Sequence, residues 1–414
     1  MIAPDQFPGL SGRCFTIGLE EALLLSCANI HAPDRIGHRL RSLLERPLRW
    51  DRVLTLGNAH GVVGLVRWTL RKNGLWDAVP DEARTVFDRW YRAAQIRHLL
   101  IARQLASILE GARAAGVDPV LLKGAAIAAV AYPDPALRAM ADIDALVDPT
   151  QLSAMSDVLT RLGLAHEEIY YGDVFNVTRG YHLSFFDPIG TLVPVEVHWA
   201  LASSLERRNR LSASALLRHT VRARVVTIPN VARPAGRVLA PAAQLVYLAS
   251  HAGTEGHSFS QLRWLADIAA IVGGPTPPPW PAVVAFARHS RARAVTYVAL
   301  ALVRDLLGVV VPASALHELR PPVLLTGVIE RTLNPSTILA PLDQHRRSIV
   351  KYLLVDSPAM TTRLLVERLL PPADAIRVYH PGLGQESLTA AYGRQVVTVT
   401  AEAIRKATSW LHPG

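Results

Sequence analysis

The sequence predicts an α+β fold in which a small mixed β-sheet core is flanked by N-terminal and C-terminal helical subdomains. Three observations predict this fold. The chain has 414 residues, which is too long for one small domain. Half of the residues are hydrophobic and 19% are charged, a composition that can form a packed core. Near both ends, apolar residues recur at the three- and four-residue spacing of amphipathic helices. Between residues 116 and 240, short apolar runs alternate with turn signals, as in strands.

The first predicted subdomain, residues 1–115, is helical. Asp81 directly follows Pro80 and is expected to cap the last and longest helix. Five segments carry the helical spacing, at residues 20–30, 36–44, 50–58, 62–72 and 81–115.

Residues 116–240 carry the signals of the sheet-containing core. Its first element is an apolar run at 117–122 that ends in Lys123-Gly124, as expected of a strand that enters a turn. Residues 187–190 give a turn signal between two later strands. The remaining predicted elements are a helix at 125–132, a strand at 140–147, a helix at 151–162 that ends at Gly163, a strand-rich stretch at 166–199, and short extended pieces at 221–228 and 237–239.

Residues 241–414 form the second helical subdomain, and the proline-rich segment 273–281 is expected to be a stiff connector within it. The most apolar late stretch, 294–311, includes two charged residues and is too short and too charged to span a bilayer. The first residues lack a signal-peptide pattern, and the two cysteines are too few for a disulfide framework. The sequence therefore predicts a cytoplasmic protein that does not insert into a membrane.

The formal net charge of +10 bears on the partner of the protein. A basic chain suits RNA or a substrate that carries phosphate. An arginine-rich composition spread over solvated helix faces gives the same total, and no long block of consecutive basic residues occurs. Charge alone therefore leaves the partner open.

Three acidic residues in apolar surroundings are the strongest chemical signal. Asp142 and Asp144 stand two apart on a predicted strand, so both carboxylates point to one face. Neighbouring carboxylates repel each other unless a cation joins them, and Glu196 adds a third acid from another predicted strand. Such oxygen ligands suit Mg²⁺, with Mn²⁺ as the alternative, and could hold two ions for a displacement at phosphorus. The competing interpretation is a solvated strand end beside an exposed sheet face.

A phosphate site is predicted next to these acids. The helix that begins near residue 125 offers free backbone N–H groups and a positive dipole end. Gly124 lacks a side chain that would block a phosphate, and Lys123 adds charge for the β- and γ-phosphates. Arg138 lies four residues before Asp142 and could bind a triphosphate in a bidentate manner, or be an ordinary surface arginine.

These motifs resemble the nucleotidyltransferase superfamily of DNA polymerase beta, and more closely a bacterial family known as uncharacterised nucleotidyltransferases. The resemblance extends over roughly residues 20–375 and implies a nucleotidyltransferase core that uses a nucleoside triphosphate and a divalent ion. Lys123-Gly124 stands where the superfamily has Gly-Ser, so the usual phosphate-contacting hydroxyl is missing. The matching residues are Leu121 to Ala126, Tyr132 to Pro135, Arg138, Asp142 to Val147, Glu196 to Trp199, His251, His257, Leu262, Trp264 and Asp267.

Four histidines are candidates for contacting the acceptor or supporting the acids. His198 shares the strand face of Glu196, so it could orient that acid or be a packed core histidine. His182 lies on a strand expected to pair with it. His251 and His257 are six residues apart, which is not a same-face helix spacing, so a hydrogen-bonding or substrate-proximal role is favoured over zinc binding.

The leading hypothesis is a magnesium-dependent nucleotidyltransferase. It would move a nucleoside monophosphate from a nucleoside triphosphate to a hydroxyl-type acceptor on a small molecule or modified peptide. Three alternatives stay open: a toxin-like enzyme acting on RNA such as transfer RNA, a phosphotransferase using the same site, and a catalytically degenerate binding module. The presence of all three acids argues against the last.

Overall fold

The computed structural model describes the chain apart from residues 1–2, 11, 32, 167–180, 202–210, 226–234, 254–256, 275, 322, 341–349, 372, 374–375, 377–386 and 412–414. Within the described part, one cluster of buried apolar side chains extends from Phe7 to Leu354. The three predicted subdomains therefore share a core, and the boundaries near residues 115 and 240 stay predictions. A second, small cluster contains Ile376 and Ala391.

In the described residues, the N-terminal part has a hairpin followed by five α-helices. The antiparallel strands β1 (Gln6–Pro8) and β2 (Cys14–Thr16) were not predicted, because three residues are too few for a readable alternation. Pro80 occupies the cap position of the longest helix and Asp81 is its first helical residue, so the predicted Asp81 cap is wrong. The five predicted helices are present as α1 (Leu19–Cys27), α2 (Pro33–Leu44), α3 (Trp50–Ala59), α4 (Val63–Lys72) and α5 (Asp81–Ala114).

In the part of the chain that the structure describes, a mixed seven-stranded sheet forms the centre. Its strands are β3 (Val120–Leu121), β4 (Ile143–Leu146), β5 (Ala165–His166), β6 (His182–Phe186), β7 (Val195–His198), β8 (Thr220–Arg224) and β9 (Ala235–Leu239). The strand order is β5-β6-β7-β4-β3-β9-β8. The pairs β4–β7 and β3–β9 are parallel and the others antiparallel, which confirms a mixed sheet. The predicted extended residues 226–228, and the strand-rich residues 167–180, lie outside the described residues.

Among the described residues, three helices connect the strands of the sheet: α6 (Lys123–Ala131), α7 (Leu152–Arg161) and α8 (Ala213–Arg218). The helix α6 starts two residues earlier than predicted, at Lys123. Gly163 follows α7 with a φ of +90°, the left-handed conformation expected of a glycine that ends a helix.

The C-terminal part is helical, as predicted. Its helices are α9 (Pro241–Gly253), α10 (Leu262–Gly273), α11 (Trp280–His289), α12 (Arg293–Leu307), α13 (Ala313–Leu319), α14 (Val323–Thr332), α15 (Pro335–Leu339), α16 (Val350–Leu353), α17 (Pro358–Leu369) and α18 (Leu388–Leu411). The helix α10 packs against α6 and so reaches the sheet core. None of the helices in the described residues has both the length and the apolar character needed to cross a membrane.

Candidate active site

Two carboxylates lie directly opposite each other on the two central parallel strands. The register of β4 and β7 pairs Asp144 with Glu196. Because alternate residues of a strand share a face, Asp142 and His198 belong to the same face as these acids. Sheet pairing thus brings together groups that are far apart in sequence.

The acids line a pocket of about 220 Å³ between the sheet and the start of α10. All the residues predicted for the site line this pocket except His198, which is buried beneath it. Four lining residues were not predicted for the site: Ala141, Tyr181, Arg263 and Trp264. Arg263 carried a readable signal, because it is a charged residue among the apolar residues that open α10.

Lys123 reaches into the acid cluster. Its Nζ atom lies 2.6 Å from Asp144 Oδ1 and 3.6 Å from Glu196 Oε2. The backbone of Lys123 is left-handed, with a φ of +44°, a conformation that costs a non-glycine residue roughly 1 kcal/mol or more. Burial by itself would lower the pKa of the Lys123 ammonium, but Asp144 and Glu196 raise it well above its ordinary value. Lys123 is therefore charged and supplies a cation between the two acids.

His198 is the second cation-forming group among the acids. Its Nε2 atom lies 3.0 Å from Asp144 Oδ1 and 3.3 Å from Glu196 Oε2. Burial lowers the pKa of His198, but its contacts with the two carboxylates outweigh this and raise it above its ordinary value. Burial likewise opposes ionisation of Asp144, whereas Lys123 and His198 hold the Asp144 pKa well below its usual range. His198 thus contacts both carboxylates from within the core, and the orienting role stays a prediction.

The acids suit a divalent ion. Among the described residues, Asp144, Glu196 and His198 offer ligand atoms that all lie within 4.8 Å of one another. The predicted set had Asp142 in place of His198. Asp142 lines the same pocket, and burial and the nearby Asp144 charge raise its pKa, so negative charge there is not fully balanced. Carboxylate oxygens are the ligands Mg²⁺ prefers, so this donor set fits that ion.

Arg138 does not point freely into the pocket. Its guanidinium binds the fully buried Asp267 through Nε at 3.0 Å and Nη2 at 2.8 Å, and Nη1 donates to the Ala139 carbonyl at 2.5 Å. Tyr132 donates to the same Asp267 carboxylate at 2.8 Å. The surface alternative for Arg138 is wrong, since the side chain is buried. The buried Arg138–Asp267 ion pair joins the loop before β4 to α10. Contact between Arg138 and a triphosphate stays a prediction.

Gly124 is required for packing as well as for the predicted phosphate approach. A Cβ atom at this position would lie 2.8 Å from Met140 Cγ and 3.2 Å from Arg138 Nη1. The absent side chain lets the start of α6 approach the loop that leads into β4. Packing thus accounts for the glycine at position 124. That Gly124 also leaves space for a phosphate stays a prediction.

His182 lies on the strand that pairs with β7, as expected, and the register sets it opposite His198. Its Nε2 atom lies 4.0 Å from Glu196 Oε1. Burial and the charge of His198 lower the pKa of His182 to about 4, so this imidazole is neutral at pH 7. The neutral imidazole of His182 beside Glu196 can donate a hydrogen bond to a bound molecule or accept one from it.

His251 and His257 meet on the opposite wall, where the chain turns between α9 and α10. Their ring centroids lie 4.5 Å apart, and the His257 ring lies 4.5 Å from Trp264. Burial, followed by the charge of Lys123, lowers the pKa of His251 well below its ordinary value, which keeps this histidine neutral. The six-residue spacing thus produces an aromatic wall. Neither histidine belongs to the close set of potential metal ligands found in the described part of the chain.

Comparison with known proteins identifies a matching protein family. Residues 46–308, well over half of the chain, match a protein family described as uncharacterised nucleotidyltransferases. The matched segment contains α3 to α12 and every residue of the pocket. No curated protein and no solved structure matches the chain significantly.

Proposed function

The chain belongs to the family of uncharacterised nucleotidyltransferases, and from this premise we propose that its acid pocket transfers a nucleoside monophosphate from a nucleoside triphosphate to a hydroxyl group. The acceptor would be a small molecule or a modified peptide. The observation that carries the proposal is the pairing of Asp144 with Glu196 across parallel strands, with Asp142 lining the same pocket. The resemblance of these motifs to the polymerase beta superfamily supports the same core arrangement.

In the proposed reaction, the acceptor oxygen forms a bond to the α-phosphorus, and the bond from that phosphorus to the oxygen bridging the β-phosphate breaks. Pyrophosphate leaves with the electron pair of the broken bond. The proton of the acceptor hydroxyl passes to Glu196, whose side chain is 26% exposed and so accessible from the pocket. Burial would raise the pKa of Glu196, but His198 and Lys123 lower it and keep the carboxylate ionised.

A bound divalent ion such as Mg²⁺ would supply the positive charge that offsets the triphosphate and the leaving pyrophosphate. Asp142, Asp144 and Glu196 are the residues that would hold it. Lys123 keeps Asp144 ionised and is near enough to the pocket surface to contact a phosphate. We assign Arg138 a positioning role, because Asp267 already binds its guanidinium.

The proposed roles of the four candidate histidines follow from the wall of the pocket at which each one lies. His182 and His198 flank Glu196 and support the acid that faces the acceptor. His251 and His257 form the aromatic wall, where a base or the acceptor would lie.

The proposal is tested by thermal unfolding of the whole chain with each of the four common nucleoside triphosphates, with and without Mg²⁺. We expect one or more triphosphates to raise Tm only when Mg²⁺ is present, since ligand binding stabilises the folded state by mass action. The Asp144→Asn variant should lose this increase. Asp157→Asn, on the exposed side of α7, is the matched control and should retain it. No increase with any triphosphate would remove the basis of the nucleotide-dependent function.

The acceptor class requires a separate test, because the net charge of +10 also fits RNA. Phosphate contacts are strongest at low salt. An RNA-modifying enzyme should therefore bind transfer RNA at low salt, and its affinity for that RNA should fall as the salt concentration rises. The small-molecule or peptide proposal predicts no such binding at low salt. Tight, salt-sensitive RNA binding would replace it with the RNA alternative.

A further inference from the structure

Three guanidinium or ammonium groups line the acid pocket, and their partners differ. Lys123 pairs with Asp144, and Arg138 pairs with Asp267. For Arg263, the described residues provide no ion pair and no side-chain hydrogen bond, and its Nε atom is buried without a hydrogen-bond partner. One pocket cation is therefore left with its hydrogen-bonding capacity unused within the described structure.

The position of Arg263 is fixed by its surroundings. Its backbone nitrogen donates to the carbonyl of His60 at 3.1 Å. Gly61 has a φ of +68°, and a Cβ atom there would lie only 2.8 Å from Arg263 Cδ. The loop at residues 60–61 thus leaves room for the arginine stem, and any residue larger than glycine would displace it.

The surroundings of Arg263 disfavour its charge on balance. Burial and the neighbouring Arg138 act against the protonated form and outweigh the attraction of Asp267, Asp142 and Asp144, so the Arg263 pKa is lowered. The Trp264 ring lies 5.9 Å from the guanidinium carbon, near the outer limit of a cation–π contact. A cation held half-buried without a hydrogen-bonding partner is unfavourable in the ligand-free protein. Such a residue is explained best by a ligand that completes its hydrogen bonds.

We propose that Arg263 forms an anion subsite that binds the phosphate groups of the donor nucleotide. This inference rests on the proposed function, since it takes the donor to be a triphosphate. The planar guanidinium presents paired N–H groups that match two phosphate oxygens, which an ammonium cannot do. Asp142 and Asp144 are near enough to act electrostatically on Arg263, so a triphosphate bound at the acids would lie within its reach.

The charge balance of the pocket also favours a phosphate contact from Arg263. Three carboxylates repel a triphosphate, and the charges of Lys123 and Arg138 are already taken up by Asp144 and Asp267. Among the described lining residues, Arg263 is the guanidinium or ammonium group whose charge is not shared with a paired carboxylate. Arg263 therefore takes the phosphate-binding role that the sequence predicted for Arg138.

The test uses inorganic tripolyphosphate, whose binding does not depend on the identity of the base, with Mg²⁺ present throughout. Affinities are measured by calorimetry for the wild-type chain, Arg263→Gln, Arg263→Lys and the control Arg304→Gln, which removes an arginine paired with Asp305 away from the pocket. We expect Arg263→Gln to weaken binding about 10- to 100-fold, as for loss of a charge-assisted bidentate contact. Arg263→Lys should recover part of this loss, and Arg304→Gln should bind like the wild type.

Equal binding by wild type and Arg263→Gln would overturn the inference and leave the proposed function standing. If the wild type binds neither tripolyphosphate nor any nucleoside triphosphate, both fail together. Unfolding of the ligand-free variants separates binding from structure. Arg263→Gln should melt at or above the wild-type temperature, because the substitution removes a half-buried charge that has no ion pair within the described residues. A fall of several degrees would identify Arg263 as a structural residue and also overturn the inference.

Discussion

The Nζ atom of Lys123 lies 2.6 Å from Asp144 Oδ1, and the backbone amide of the preceding residue, Leu122, donates to the Asp144 carbonyl at 3.0 Å. The turn between β3 and α6 is thus joined to β4 through both main chain and side chain. The positive φ of Lys123 directs its ammonium at the acid cluster rather than to solvent. In this site, the residue that opens α6 is an internal counter-ion for the acids.

Replacing Lys123 with methionine should destabilise the protein. The substitution leaves Asp144, whose side chain is 2% exposed, without its nearest cation, and loss of one partner from a buried pair costs about 3–5 kcal/mol. Urea unfolding measures the change, and added Mg²⁺ should recover part of it because a divalent ion can balance the same carboxylates. Lys72→Met, at an exposed position of α4, is the control and should change little. A Lys123→Met variant as stable as the wild type would show that His198 alone balances Asp144.

Replacing Asp142 with asparagine should have the opposite effect on the ligand-free protein. Burial and the charge of Asp144 raise the pKa of Asp142, so the folded state holds this proton to higher pH than the unfolded chain does. Its contribution to stability therefore falls as pH rises above the ordinary value of 3.8. At pH 7, Asp142→Asn should raise Tm by roughly 1–2 °C while abolishing Mg²⁺-dependent nucleotide binding. A lower Tm would mean that Asp142 has a stabilising partner in solution.

The Arg138–Asp267 pair allows a double-mutant cycle that separates position from phosphate binding. Arg138→Met and Asp267→Leu should each cost about 3–5 kcal/mol, because each leaves an unpaired charge in a buried site. The double variant should recover most of that loss, since neither charge remains.

Tripolyphosphate binding by the double variant tests whether Arg138 itself contacts phosphate. If Arg138 only positions the loop before β4, binding should stay within a few-fold of wild type. A loss as large as that of Arg263→Gln would return Arg138 to the phosphate-binding role predicted from the sequence.

His251 should make the protein sensitive to acid. Burial lowers its pKa in the folded state, so below about pH 6.5 the unfolded chain takes up a proton that folded His251 does not. Stability should therefore fall as pH decreases from 6.5, with a slope of up to about 1.4 kcal/mol per pH unit from this group. His251→Gln should reduce the slope measured by urea unfolding between pH 5 and 6.5. An unchanged slope would mean that groups other than His251 cause the acid sensitivity.

The carboxylates of the site were the most predictable feature because they depend on local rules. The alternation of side chains along a strand relates Asp142 to Asp144, and the apolar neighbours of Glu196 identify its strand. Long helices such as α5 were equally readable from their periodicity.

Pairings between distant residues could not be read from local patterns. Arg138 and Asp267 are 129 residues apart, and only the packing of α10 against α6 makes the buried pair. A left-handed Lys123 contradicts the usual preference of that residue, and it is held by contacts that no local pattern encodes. The sequence marks Arg263 as a charged residue among apolar ones, but only the three-dimensional structure shows that the described residues give it no ion pair.

The most direct test of the central claim is label transfer from a nucleoside triphosphate that carries phosphorus label at either the α or the γ position. The whole chain is incubated with Mg²⁺ and a cell extract separated into small molecules, peptides and RNA, beside the Asp142→Asn and Asp144→Asn variants and the Asp157→Asn control. We predict that label from the α position, and not from the γ position, appears in the small-molecule or peptide fraction, and that both acid variants abolish it. Transfer from the γ position alone, or α-label transfer that survives both substitutions, would contradict nucleotidyl transfer at this site.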